Sequence, residues 1–596
     1  MIRFVRLVVG LSAVFYFSFP TRATIRYEVS LAHPEQHLFH VTMTIPDVHG
    51  SVAVQIPAWN ALYQVRDFSS HVREVQAFAG EQRVGVAKTD KQTWKITADG
   101  AVTVTYTTFW DEPGPFATQL SEEHAFINAA MILFYVPERR NEEVSTIFVD
   151  VPAQWQADGP GIQLNAESGR NHSFGGIFTN YDALADAPIE AGRFEKFLIP
   201  GLVPQVSVIV HGNEWRKGTL ERDLKKICEY ELKLMGGAPY NGYTFIYHIG
   251  KAANGAGGGM EHANATAIAI PSDEFLDGVS AHEFFHLWNV KRIRPASLEP
   301  IDYAKEQYTR ALWFAEGVTS TFGSFTLVRS GLWTKQQFYM DLSEQINELE
   351  TRPANKWQSA EQSSLDAWLE KYGQYSRPDY SVSYYTKGQV LGDLLDILIR
   401  DRTDNQKSLD DVMRLMNKNF AKAGETYRDS LDVRLTAEKV VGGSFEDFFE
   451  RYVGHAEPLP YEKVLGLAGL ELRIVEVRRA VLGFSGARVA NGGFLVESVE
   501  PGSDAERAGL RGGDQIVGWN GGDVPRRLER YMRSAEPGAT LRLRVQRNGK
   551  DISMELHLGE AQETARLVSE VPNANEKQKR IREGMLRGTT QAVAVH

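Results

Sequence analysis

A single cysteine, Cys228, is present among the 596 residues of this chain, so no intramolecular disulfide can form. Stability must come from apolar cores and from whatever the chain binds. Cys228 lies in LKKICEYELKLM, an amphipathic helical pattern in which it reads as a small buried apolar residue. Excess basic charge is also lacking: 65 Lys and Arg stand against 76 Asp and Glu, giving a formal charge of −11 and a pI near 5.8. That balance offers no positive field for a polyanion and argues against nucleic acid as a partner. Internal repeats are absent, and past residue 23 there is no apolar run long enough to span a bilayer.

The amino terminus is different. In MIRFVRLVVGLSAVFYFSFPTRA, Arg3 and Arg6 precede an apolar run from Leu7 to Phe19, and small residues end at Ala23. Those 13 residues fall short of the roughly 20 that cross a bilayer. Residues 1–23 therefore read as a secretory signal peptide, which predicts export, to a bacterial periplasm or beyond, and no transmembrane anchor after cleavage.

With 43% hydrophobic residues the chain can fill several cores, and its patterns divide it. Residues 24–205 alternate apolar and polar in runs such as IRYEVSLA and AVTVTYTTFW, which predicts an all-β, sandwich-like domain. Residues 206–331 mix helices with a few strands, and 332–462 read as helices, with Ser408 and Asp411, and Ser444 and Asp447, placed as capping boxes. Residues 463–560 are Gly-rich and β-like, while 561–596 have few large apolar residues and read as a loosely ordered, charged tail. The expected class is multidomain α+β.

The stretch SAHEFFHLW puts His282 and His286 four residues apart with Glu283 beside the first. On a helix both rings can turn toward one ion, and a zinc ion there acidifies a water whose proton a neighbouring carboxylate can take. A catalytic zinc needs a third protein ligand. Glu299, Glu306 and Glu316 are the downstream candidates; Glu299 sits among prolines, whereas Glu306 and Glu316 share the helical pattern YAKEQYTRALWFAEGVTSTFGSF, which does not separate them.

With HEFFHLWNVKRIRP, GGGMEHANATAI, WFAEG and YSVSYYTKG together, the chain resembles the bacterial glycyl aminopeptidases, gluzincins that carry a PDZ domain after a thermolysin-like catalytic unit. The resemblance runs from about Thr24 to Gly559. It implies one zinc ion per chain on His282, His286 and Glu316, with Glu283 as general base. It also implies that Gly258, Gly259, Met260 and Glu261 line the substrate, Glu261 pairing with the free α-amino group, and that Tyr385 stabilises the oxyanion, with Tyr380 near the substrate. His262 stands where related leucine-type enzymes carry asparagine, and 29 residues intervene between His286 and Glu316 rather than their 18. In GGFLVESVEPGSDAERAGLRGGDQIVGWNG the chain resembles a PDZ domain, which implies a carboxylate-binding loop at Leu482, Gly483 and Phe484 for a C-terminal peptide.

The resulting expectation is an exported zinc aminopeptidase acting on peptides with a free amino terminus and small first residues, glycine or alanine. A PDZ-bearing periplasmic scaffold with a structural or vestigial metal site, and a thermolysin-like endopeptidase, are the alternatives; intact Glu283 and Tyr385 oppose the first and Glu261 opposes the second.

Overall fold

The computed structural model describes residues 24–60, 63–164, 173–213, 215–253, 257–272, 276–370, 379–489, 493–525 and 528–590, so the expected signal peptide lies outside the described residues. Contacts divide the chain into two compact units: residues 1–335, 352–459 and 583–596 form one, and 336–351 with 460–582 form the other.

The first unit begins with β1 (Ile25–Ser30), which pairs antiparallel with β2 (Leu38–Val48) and parallel with Val144–Val149 in an eight-stranded sheet. Alternation drives this: every second residue of β1, Ile25, Tyr27 and Val29, is buried while Arg26 faces out. A four-stranded sheet includes β3 (His124–Ile127) antiparallel to β4 (Ile189–Gly192), and a three-stranded sheet completes the β-rich domain around Phe39, Phe68, Trp110 and Phe134.

A five-stranded sheet carries the chemistry. Its five strands run Glu195–Leu198, β5 (Val206–His211), β6 (Tyr243–Ile249), β8 (Ala265–Ile270) and, at the edge, β7 (Gly258–Glu261). The strands β5, β6 and β8 are parallel, and β6 and β8 are buried throughout, which is why they read as continuous apolar runs rather than alternation. The strand β7 is antiparallel to β8 and ends the sheet. Helix α1 (Lys217–Met235) crosses between β5 and β6, burying Leu224, Ile227 and Cys228. Cys228 is fully buried.

The β-rich domain is fastened to this sheet by a buried cluster. Glu190 of β4 accepts from His124 Nδ1 of β3 at 2.8 Å and from His248 Nε2 of β6 at 3.0 Å. Gln119 donates its amide N–H to Asp111 at 2.8 Å, which turns its oxygen onto His124 Nε2 at 3.1 Å. Both His124 nitrogens thus face acceptors, so the ring is held as an imidazolium paired with Glu190.

The metal-motif helix α2 (Leu276–Phe285) packs on α3 (Thr319–Arg329), and α3 in turn on α4 (Tyr384–Arg402). Residues 303–311, expected within one helix reaching Glu316, are irregular: the helix starts at Leu312 and runs first as a π-helical turn, Trp313–Val318.

In the second unit, residues 470–481 and 559–570 form a two-stranded antiparallel ribbon beside a five-stranded sheet that starts with β9 (Phe484–Arg488). Two expectations change here. Helix Lys335–Glu350 belongs almost wholly with this unit rather than with the other helices. The segment from residue 561 is ordered through the ribbon and then α5 (Glu576–Arg587), because Ile581 and Met585, spaced by one helical turn, are buried. Among the described residues no helix is long and apolar enough to cross a membrane.

Candidate active site

Helix α2 ends at Phe285, and His286 is the first residue of the turn that follows, still donating its backbone N–H to the carbonyl of His282 at 3.4 Å. The helical offset is kept, so both rings point the same way. Their Nε2 atoms lie 3.0 Å apart, and Glu316 Oε2 stands 3.4 Å from one and 3.3 Å from the other.

Hydrogen bonds behind the rings decide what this triangle is. His286 Nδ1 donates to the Asn289 carbonyl at 2.6 Å. The Ser320 hydroxyl gives its proton to the Glu316 carbonyl at 3.1 Å, so it accepts from His282 Nδ1 at 3.2 Å. With both Nδ1 atoms donating elsewhere, Nε2 is the atom of each ring that can offer a lone pair to an ion in exchange for any proton it carries, and three donor atoms converge on one point. A tetrahedral ion with ligands at about 2.0–2.1 Å sets its donors roughly 3.3 Å apart, and the observed edges span 3.0–3.4 Å. The donor set therefore fits zinc. Burial would lower His286, yet Glu316 pushes it up to about 10, and the histidines hold Glu316 well below the carboxylate range despite its burial. The pocket demands positive charge.

The other candidates for third ligand are placed elsewhere. Glu299 pairs with Arg294, and Glu306 is exposed in the irregular segment. The π-helical turn places Glu316, and Asn289 ties it to the histidine turn by donating to the Phe314 carbonyl at 2.8 Å and to Thr319 at 3.1 Å. The glycines of WFAEG and YTKG have a common cause. Gly317 and Gly388 face each other so closely that a Cβ at Gly317 would stand 2.5 Å from Gly388 Cα and 2.6 Å from the Tyr384 carbonyl. Their absent side chains let α4 approach the Glu316 turn, which brings Tyr385 over His282, ring centroids 5.9 Å apart. Tyr384 instead is buried and stacks on Tyr385. Tyr380 is half exposed in the turn before α4.

Glu283 is buried, with Oε2 lacking any hydrogen-bond partner. Burial, reinforced by Glu261 and Glu316 and opposed by His286, pushes it up to about 8. A divalent cation beside it would draw that value back down. One oxygen each of Glu261 and Glu283 and a ring nitrogen of His286 lie within 4.8 Å of one another. Gly259 packs directly on Glu283: a Cβ there would be 2.5 Å from Glu283 Cγ. Strand β7 therefore runs along the ion site with an edge that carries no other strand among the described residues. Glu261 at its end is pushed up by burial, and Glu316 adds to this.

The β-rich domain also reaches this cleft, which sequence patterns did not reveal. Tyr63 is buried and stands in the field of both Glu316 and Glu261. The Phe116 ring lies 3.2 Å from where a Gly258 Cβ would be. Neither position belongs to a periodic pattern or a metal motif.

Comparison with known proteins agrees with this geometry. Residues 276–391 match the family model of the M61 glycyl aminopeptidases, residues 26–193 that of the peptidase M61 N-terminal domain, and residues 480–558 a PDZ domain. The chain belongs to the M61 glycyl aminopeptidase family. As an M61 chain it is a metallo-aminopeptidase. An aminopeptidase N family protein from Idiomarina loihiensis has the same fold: TM-score 0.75 at 24% identity over 94% of the M61 chain and 100% of that chain. An M1 zinc metallopeptidase from Deinococcus radiodurans, bound to a Tyr-Ser-Ala substrate, aligns at TM-score 0.47 and 14% identity over 73% of this chain and 94% of that one. A curated protein of Rhizobium meliloti (strain 1021), named "Probable periplasmic serine endoprotease DegP-like", is 34% identical over 92 residues, 15% of this chain; the match spans 18% of that protein's length.

In the second unit, Gly483 adopts φ +69° and its carbonyl accepts from Glu500 N at 2.8 Å and Ser503 Oγ at 3.2 Å. Leu482, Gly483 and the buried Phe484 thus form the turn into β9, the edge strand of the PDZ sheet.

Proposed function

We propose that the chain is an exported zinc aminopeptidase that removes small first residues, glycine or alanine, from peptides with a free amino terminus. The observation that carries this reading is the convergence of His282 Nε2, His286 Nε2 and Glu316 Oε2 on one point, with the Glu283 and Glu261 carboxylates on its substrate side. These three side chains would hold one zinc ion, which supplies Lewis-acid chemistry, acidifying a water and polarising a carbonyl.

The protein's own groups do the rest. The peptide adds to the open edge of β7 as a further strand. Glu283 takes the proton of the attacking water as the new C–O bond forms, and delivers it to the leaving nitrogen as the C–N bond breaks. Tyr385 donates to the oxyanion, a charge present only after attack, so it lowers the barrier rather than the ground state. Glu261 receives the terminal ammonium. That nitrogen is two bonds, about 2.5 Å, from the scissile carbon, so a carboxylate within 4.8 Å of Glu283 and His286 is within reach of the first residue's amine. An internal peptide would leave Glu261 buried and unpaired there.

Export is supported by the Arg-flanked apolar run at residues 7–19 and by the name of the DegP-like relative. The PDZ turn at Leu482, Gly483 and Phe484 would take a peptide carboxylate. Glycyl and alanyl anilides, free and amino-acetylated, test the reading: only the free forms should be hydrolysed. Equal cleavage of acetylated substrate would mark an endopeptidase, and binding without turnover a scaffold.

A further inference from the structure

Asn60 is 5% exposed, and both polar atoms of its amide, Oδ1 and Nδ2, are buried with no hydrogen-bond partner. Proteins rarely leave an amide in that state, because each unpaired atom has given up water for nothing. The backbone beside it is fixed, since the Trp59 indole N–H is shared between the carbonyls of Asp302 at 2.8 Å and Lys305 at 2.9 Å. Asn60 is among the residues that line a cavity of about 480 Å³, with Tyr63, Met260, Glu261 and His262. A second orphan shares that wall. His262 Nδ1 faces Asp186 at 3.1 Å, and its Nε2 is buried and unpartnered; in the tautomer whose Nδ1–H donates to Asp186, that Nε2 offers a lone pair.

The cavity's cations are already engaged: Lys291 lies 2.8 Å from Asp186, and Arg294 pairs with Glu299. What the wall still offers is acceptor capacity. A terminal ammonium has three N–H groups and no lone pair, and Glu261, Asn60 Oδ1 and His262 Nε2 are three acceptors on residues that line one cavity. We propose that Asn60, supplied by the β-rich domain, binds the substrate's amino end together with Glu261, with His262 completing the set. This deepens the aminopeptidase reading and rests on it. It makes the β-rich domain part of the substrate site.

The test uses the full chain and glycyl anilide. For Asn60→Ala the expected result is a KM raised about tenfold, the loss of one hydrogen bond to a charged group. The kcat should stay within about threefold and bound metal should not change. The thermal midpoint without substrate should not fall, because an unpaired amide contributes no bond to the free protein. Asn60→Asp, which keeps the acceptor, should restore KM to within about threefold of wild type. An unchanged KM in Asn60→Ala overturns the proposal, and so does a lowered thermal midpoint with loss of metal, the mark of a structural amide. If the wild-type chain cleaves no free-amine substrate, the aminopeptidase reading fails separately. The contact is then read by calorimetry of glycylglycine on Glu283→Gln with and without Asn60→Ala, where equal affinity overturns it.

Discussion

Replacing Gly259 with alanine separates catalysis from stability. Gly259 has no positive φ, so alanine fits its backbone, and the three nearest atoms all belong to Glu283, whose Cγ would lie 2.5 Å from the new methyl with the carboxylate nearer still. Carbon atoms at rest sit about 3.5–4.0 Å apart, so the Glu283 side chain must retreat by about 1 Å. It ends in a flexible carboxylate, and the retreat should cost about 1 kcal/mol of stability, the low end for an added methyl in a packed site. A catalytic group displaced by 1 Å, however, can lose about a hundredfold in rate. We expect Gly259→Ala to keep its metal and its thermal midpoint to within a few degrees while kcat for glycyl anilide falls about a hundredfold. A kcat within about threefold of wild type would refute the placement of Glu283 as the base.

Four further outcomes follow from the same geometry. Glu283→Gln should retain metal and lose nearly all turnover; substantial residual hydrolysis would place the base elsewhere. Gly388→Ala should behave in the opposite way to Gly259→Ala, because its methyl would meet backbone, 2.8 Å from the Trp313 carbonyl carbon and 2.9 Å from Gly317 Cα. Backbone cannot swing aside, so a loss of about 3 kcal/mol is expected in denaturant titration. Removing metal with a chelator should lower the thermal midpoint, since three converging donor atoms are left without a cation, and zinc should restore it. The Glu190 cluster should make stability pH-dependent at both ends. Burial opposes its charge, but His124 and His248 hold Glu190 down at about 2, so its contribution is present above the ordinary carboxylate range and lost as pH falls toward 2. Burial lowers His124 but Glu190 raises it above its usual value, so its contribution is present below about 6.5 and lost as pH rises through the raised value. Glu190→Gln should flatten both limbs of a stability profile measured by denaturation; unchanged limbs would show that the cluster does not couple to folding.

The parts legible in the sequence are those written in short spacings. His282 and His286 are four residues apart, and alternation in β1 identifies its strand. Ser408 and Asp411 do meet at a helix start, Asp411 accepting from Ser408 N at 3.0 Å, whereas the helix near Ser444 starts two residues later, with Ser444 capping Glu446 N at 3.1 Å. The third carboxylate was not decidable by periodicity, because Glu306 and Glu316 fit one helical pattern that the chain does not follow before Leu312. Tertiary packing through Gly317 and Gly388 decides it, and that contact joins residues 71 positions apart. Asn60, Tyr63 and Phe116 were invisible for the same reason: a loop residue from another domain carries no periodic signal. The order after residue 561 is hidden in the sequence because its many charges conceal Ile581 and Met585, one helical turn apart.

Everything rests on one cation shared by two imidazoles and a carboxylate brought from a separate π-helical turn. Metal analysis of the purified chain beside Glu316→Ala tests this most directly. About one zinc per wild-type chain, largely lost in Glu316→Ala, is the predicted result; a metal-free active enzyme, or a variant that holds as much zinc as wild type, would contradict it.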